Sequence, residues 1–117
     1  MTLETFIASI KSGTPVSFNL TIEVIQAHYQ YTPSRFTNGL NEHAIVNEAG
    51  TNEGSCRIFA FAQLHGLCES ETLQLFGDFY RKDVLEHPDA QDHLNIRTFM
   101  KYGWAGIHFD QPALSAL

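Results

Sequence analysis

Cys56 stands where a cysteine can do chemistry, in the first turn of a stretch that reads as a helix, Ser55 to Gly66. A thiol at a helix N-terminus gains thiolate character from the helix dipole, and a nearby histidine would complete a nucleophilic dyad. His93 and His108 are the downstream candidates, with Asn95 or Asp92 to orient the ring. Against this stands the simpler reading that a free cysteine fills space in a core. Just ahead of Cys56 runs a polar loop, Asn47-Glu48-Ala49-Gly50-Thr51-Asn52-Glu53-Gly54. It delivers backbone N–H groups to a helix start, where an anion can bind. It lacks the lysine and glycine spacing of a phosphate-binding loop, and Glu48 and Glu53 would repel a phosphate. The structural alternative is a rigid turn in which Asn52 and Ser55 satisfy orphan backbone groups.

His93 and Arg97 are four residues apart and so are neighbours on a helix. A half-buried cation needs a partner, and Glu48 or Glu53 can supply one, so that the pair fastens the loop to the last helix. Glu48, Glu53, His87, Asp89, Asp92 and His93 are potential metal ligands, but no paired-cysteine or His-Glu-x-x-His spacing joins them. No metal and no cofactor is expected.

The elements that must position these groups follow from periodicity. Leu3, Phe6, Ile7 and Ile10 mark a short helix behind a Thr2 cap, closed by Ser12-Gly13-Thr14-Pro15. Residues 16–29 carry two periods at once. Val16, Phe18, Leu20, Ile22 and Val24 alternate as in a strand, whereas Phe18, Ile22, Ile25 and Tyr29 are spaced as in a helix behind Ser17. The length of the run favours the helix. Tyr31 to Asn41 reads as a connector with an Asn38-Gly39 turn, and Ala44–Val46 as a short strand. The helix between Ser55 and Gly66, which cap its start and end, is apolar on nearly every side and belongs at the centre of the domain. Another helix follows Ser70, with Leu73, Phe76, Tyr80 and Val84 as its stripe and Leu75 and Phe79 widening it. Gly77 inside it suggests a neighbour that needs the room. Asp89 or Asp92 starts a last helix that buries Ile96, Phe99 and Met100 and ends at Gly103. Trp104–Phe109 reads as extended and as the partner of Ala44–Val46, with 110–117 as a partly ordered tail.

Composition narrows the function classes. The 117 residues fit one domain, spanning 1–117. The formal charge is −6, and Thr37–Cys56 holds three Glu and no Lys or Arg. Nucleic acid and anionic membranes select clustered cations, so neither is an expected partner. Cys56 and Cys68 would lie roughly 18 Å apart along a helix, too far for a disulfide. No leader or membrane span is apparent in the first residues. A reducing, cytoplasmic setting is expected.

Asn47-Glu48-Ala49-Gly50, Asn52-Glu53-Gly54-Ser55-Cys56, Asp92-His93-x-Asn95-Ile96-Arg97-x-Phe99-Met100 and Gly103-Trp104 together resemble the HopJ type III effector family of bacterial proteins. The resemblance runs from about Phe18 to Phe109. It implies a small single-domain protein, and secretion into a host cell enters only through the family name. The family brings no established activity or catalytic residue.

The reading is thus an α+β, helix-dominated domain of about five helices, with a small sheet from segments near 44–47 and 105–109. It is expected to be a binding module for a small polar ligand or a protein segment. Its site residues are Asn47, Glu48, Asn52, Glu53, Ser55, Cys56, His93, Arg97 and Trp104, none of them assigned as catalytic. The alternative is a hydrolase or transferase that uses Cys56 with a downstream histidine.

Overall fold

Two side-chain caps set the N-terminal half. In the computed structural model, which describes residues 2–117, helix α1 spans Leu3–Lys11 and α2 spans Phe18–His28. Thr2 and Ser17 sit in extended backbone, and their hydroxyls accept from the N–H groups of Thr5 and Leu20. Ser17 resolves the double periodicity of 16–29 in favour of the helix. Once the chain coils there, Thr21, Val24 and Ile25 fall on one buried face. The helical register ends at Tyr29, where strand β1 (Tyr29–Tyr31) begins.

The remaining elements are β2 (Phe36–Asn38), a first 3-10 turn (Asn41–His43), β3 (Ile45–Asn47), α3 (Glu53–Leu64), α4 (Glu69–Gln74), a π-helical turn (Phe79–Val84), α5 (Leu94–Tyr102), a second 3-10 turn (Gly103–Gly106), β4 (His108–Phe109) and β5 (Leu114–Ala116). The fold is α+β and helix-dominated. Helix α3 is its axis, with Cys56, Ile58, Phe59, Ala60, Phe61 and Ala62 all buried, as its nearly all-round apolar surface requires.

The strands correct the expected sheet. Segments 45–47 and 108–109 do share a sheet, but they do not touch. Strand β2 lies between them in the order β3-β2-β4, both pairings antiparallel. The connector reading of 31–41 fails because Phe36 is wholly buried, with its ring 5.1 Å from Phe109 and 6.0 Å from Phe59. That aromatic anchor draws the segment into the sheet. The C-terminal segment is also not a loose end, since β5 pairs with β1 and buries Ala113 and Leu114. Trp104 lies in the second 3-10 turn rather than in extended chain.

Two glycines allow the backbones to meet. A Cβ at Gly106 would lie 2.5 Å from the backbone nitrogen of Gly39, whose N–H donates to the Gly106 carbonyl. At Gly77 (φ +61°) it would lie 2.5 Å from the backbone nitrogen of Phe18. The neighbour anticipated at Gly77 is therefore the start of α2. The left-handed residue also breaks the expected long helix into α4 and the π-helical turn. Met100, expected in the core, is 43 % exposed.

Candidate functional site

Helix α3 starts three residues earlier than its serine suggests. Asn52 is the cap, in left-handed backbone (φ +48°), and its side chain makes no bond to the first turn. Its amide instead donates to Asn47 Oδ1 at 2.7 Å. Ser55 therefore lies inside the first turn and does not cap the helix.

Helix α5 begins in the same way. Neither Asp89 nor Asp92 starts it. The cap is His93 (φ +50°), again without a side-chain bond to its own helix. The His93 ring is 3.0 Å from Asp83 Oδ2 through Nε2. The expected tie between Glu53 and Arg97 or His93 does not form. Arg97 turns back on the segment before its own helix. It donates to the Asp92 carbonyl and to Asp92 Oδ1, each at 2.7 Å, and to the carbonyls of Pro88 and Asp83 at 3.3 Å. A local partner five residues away needs no long loop to reach it, and the Arg97 hydrogen bond holds the Asp92 carboxyl below its ordinary range.

Behind the two caps lies a buried amide network. Asn95 Nδ2 donates to Asn47 Oδ1 at 2.9 Å, and Asn47 Nδ2 donates to Asn95 Oδ1 at 3.1 Å. Asn38 Nδ2 donates to the carbonyl of Asn95 at 2.8 Å and to its Oδ1 at 3.1 Å. Asn38, Asn47 and Asn95 are 0 %, 1 % and 7 % exposed. Amides this deep are costly unless bonded, and of the six polar side-chain atoms of these three residues only Asn38 Oδ1 lacks a partner. Here they lock the end of β2, the end of β3 and the first turn of α5 to one another, while Asn52 ties the start of α3 to the same group.

The result is an open cleft of about 510 Å³ into which both helix starts face. Asn52, Gly54 and Ser55 contribute from α3 and its cap, and His93, Leu94, Asn95 and Ile96 from α5 and its cap. Among the described residues, no first-turn N–H of either helix before Cys56 or Arg97 has a recorded acceptor; those two bond to the carbonyls of Asn52 and His93. The rest of the lining is Phe18, Ile45, Phe76, Phe79 and Gln91, so no Lys, Arg, Asp or Glu lines the cleft.

Of the nine residues singled out from the sequence, Asn52, Ser55 and His93 line this cleft, and Asn47 supports it from behind. The other five do not line it. Glu48 is exposed and pairs with Arg35 at 3.5 Å. Trp104 is a packing residue: its Nε1 donates to the Leu67 carbonyl and its ring meets Phe99 edge-on at 5.1 Å. Cys56 is 1 % exposed, and its thiol donates to the Ser34 carbonyl at 3.7 Å, with no histidine among its bonded partners. Burial pushes that thiol up, away from the thiolate. Burial, then the neighbouring Cys56 and Glu53, also raise the Tyr31 phenol, whose hydroxyl has no hydrogen-bond partner. Arg57 lies 4.0 Å over the Tyr31 ring. Sequence reasoning missed Asn38, Gln91 and the apolar walls, and weighed Asn95 only as a group to orient a histidine ring. An asparagine inside an apolar stripe was the available signal, and Asn95 beside Ile96 carries it.

A mixed α+β scaffold with a polar-ended cleft is the class these features define. Within that class the chain belongs to the HopJ type III effector protein family, whose match covers residues 3–114. It is also similar to VPA0580, a protein of unknown function known from a crystal structure. The two share 46 % identity and a TM-score of 0.93 over all of this chain and 95 % of the other. No curated protein matches the chain. Among the described residues no helix is long and apolar enough to cross a membrane.

Proposed function

We propose that this protein is a binding module whose cleft between the starts of α3 and α5 takes a small ligand by an anionic group. What carries the reading is the disposition of the two caps. Asn52 and His93 both leave their own helices uncapped, and both helix starts face one cleft. In α1 and α2, by contrast, the cap side chains of Thr2 and Ser17 do accept from a first-turn N–H. Unbonded first-turn N–H groups at the positive end of a helix dipole suit a carboxylate or phosphate. The carboxylates that argued against an anion in the sequence, Glu48 and Glu53, do not line the cleft. The volume suits a small molecule. A cysteine-dependent reaction has less support, since the Cys56 thiol is closed off and raised.

A thermal-shift screen of small carboxylates and phosphates tests this, with Ser55→Asp as the control. An acid in the first turn of α3 is compatible with the helix but places negative charge in the cleft. Ligands should raise the melting temperature of the wild type and not of Ser55→Asp. If no anion shifts the wild type, or if the variant responds equally, the proposal fails.

A further inference from the structure

The structure assigns Asn38 as a deamidation site that the fold guards, so that its conversion marks a molecule that has opened and keeps that molecule from closing again. The inference is independent of the anion reading, since it concerns the amide network behind the cleft. Among the asparagines of the chain only Asn38 is followed by glycine. Glycine has no Cβ to hinder the approach of its own nitrogen to the preceding side chain. In the reaction the Gly39 nitrogen bonds to Asn38 Cγ, ammonia leaves and a cyclic succinimide remains. Water then opens the ring at either carbonyl. One opening gives aspartate, and the other gives an isoaspartate whose main chain runs through the side-chain methylene. The only co-reactant is water.

In the native fold both reacting groups are engaged. Asn38 is the last residue of β2 and wholly buried, and its Nδ2 donates to the Asn95 carbonyl at 2.8 Å and to Asn95 Oδ1 at 3.1 Å. The nucleophile is held as well, because the Gly39 N–H donates to the Gly106 carbonyl at 3.1 Å. Neither group is free to meet the other until β2 parts from α5 and from the second 3-10 turn. Chemistry at such a position proceeds through opening of the fold. Conversion then acts on closing. An aspartate at position 38 accepts but does not donate, and it sets a carboxylate oxygen against both acceptors of Asn95. The Asn95 side chain can flip only by giving up its bonds to Asn47, and its backbone carbonyl cannot flip at all. A buried charge without a donor is strongly unfavourable. The isoaspartate instead lengthens β2 by one backbone carbon at its pairing with Ile45.

Peptide mass mapping of Asn38 during incubation at mildly alkaline pH tests the inference, with one arm native and the other unfolded in guanidinium chloride. Asn38 should convert at least about tenfold more slowly in the native arm. When the unfolded arm is returned to native conditions, the refolded fraction should retain asparagine at 38 and the converted chains should stay unfolded. Asn38→Asp and Asn38→Ala give a second readout. A carboxyl whose pKa is raised by folding costs stability above that pKa and ceases to cost it once protonated. The urea midpoint of Asn38→Asp should therefore lie below that of Asn38→Ala near neutrality, and the gap should close between about pH 7 and pH 4. Failure of Asn38→Asp alone to fold at neutral pH is the extreme form of the same result. Equal conversion in the two arms, converted chains that refold with the rest, or an Asn38→Asp midpoint that matches wild type at neutral pH overturns the inference.

Discussion

Asn52 and His93 hold the same position in two different helices. Each is a left-handed N-cap, at φ +48° and +50°, and each turns its side chain away from the helix it starts, Asn52 to Asn47 and His93 to Asp83. A left-handed conformation is unfavourable for residues other than glycine. Here it is held from outside, by the amide network on one side and by a carboxylate on the other. The backbone is thereby fixed with both helix starts open to the cleft.

The amide network should therefore matter for stability beyond any role in binding. Asn47→Ala removes the acceptor of both Asn95 and Asn52 and the donor to Asn95. Each unpaired buried amide group costs about 1–3 kcal/mol, so chemical denaturation should show a loss of at least about 2 kcal/mol. A change below about 0.5 kcal/mol, typical of a plain surface position, would mean that the network does not hold the loop.

Gly106 and Gly13 separate two reasons for a glycine. At Gly13 a Cβ meets nothing within 4 Å, so Gly13→Ala carries only the left-handed backbone penalty of about 1–2 kcal/mol. At Gly106 it collides with the backbone of Gly39, and neither strand of contact can give way cheaply. Gly106→Ala should lower stability well beyond Gly13→Ala in parallel urea titrations. Equal losses would refute the close-packing account.

Much of this architecture was legible in the residues, and the failures share a cause. Side-chain caps were readable wherever they are local, as at Thr2 and Ser17. The largely apolar 55–66 segment identified the central helix. Helix starts at Asn52 and His93 were misplaced because there the cap side chain bonds across the fold, to partners no local pattern reveals. Strand β2 was missed because three residues anchored by a single Phe36 leave no periodicity to detect. Of the residues singled out from the sequence, the fold brings Asn52, Ser55 and His93 to one cleft with Asn47 behind them. The apolar wall of that cleft is set by how Phe18 and Phe79 pack across α2 and the π-helical turn, which is a tertiary fact.

Stability should fall on mild acidification through His65. The Tyr29 hydroxyl lies 2.7 Å from His65 Nε2, where a neutral imidazole accepts its proton. Burial pushes the His65 pKa below its ordinary 6.5. The unfolded chain thus takes up the proton more readily than the folded one. This contribution is fully present above pH 6.5 and is lost as the pH falls below that value. Urea midpoints should drop between about pH 7 and pH 5.5, and the drop should be smaller in His65→Gln. An identical pH profile in the variant would assign the change to other groups.

The two cysteines should differ sharply in reactivity. Cys68 is exposed, whereas Cys56 is buried with its thiol raised. Iodoacetamide at neutral pH should label Cys68 alone in the native protein and reach Cys56 only on unfolding. Rapid native labelling of Cys56, read by peptide mass mapping, would revive the nucleophile reading.

The most direct measurement of the central claim is an amide NMR titration with acetate at constant ionic strength. Saturable shifts are expected, concentrated on the N–H groups of Glu53, Gly54, Ser55, Leu94, Asn95 and Ile96, with one dissociation constant fitting both helix starts. Shifts that never saturate, or that gather around exposed Lys82 and Lys101 while these six stay fixed, would contradict it.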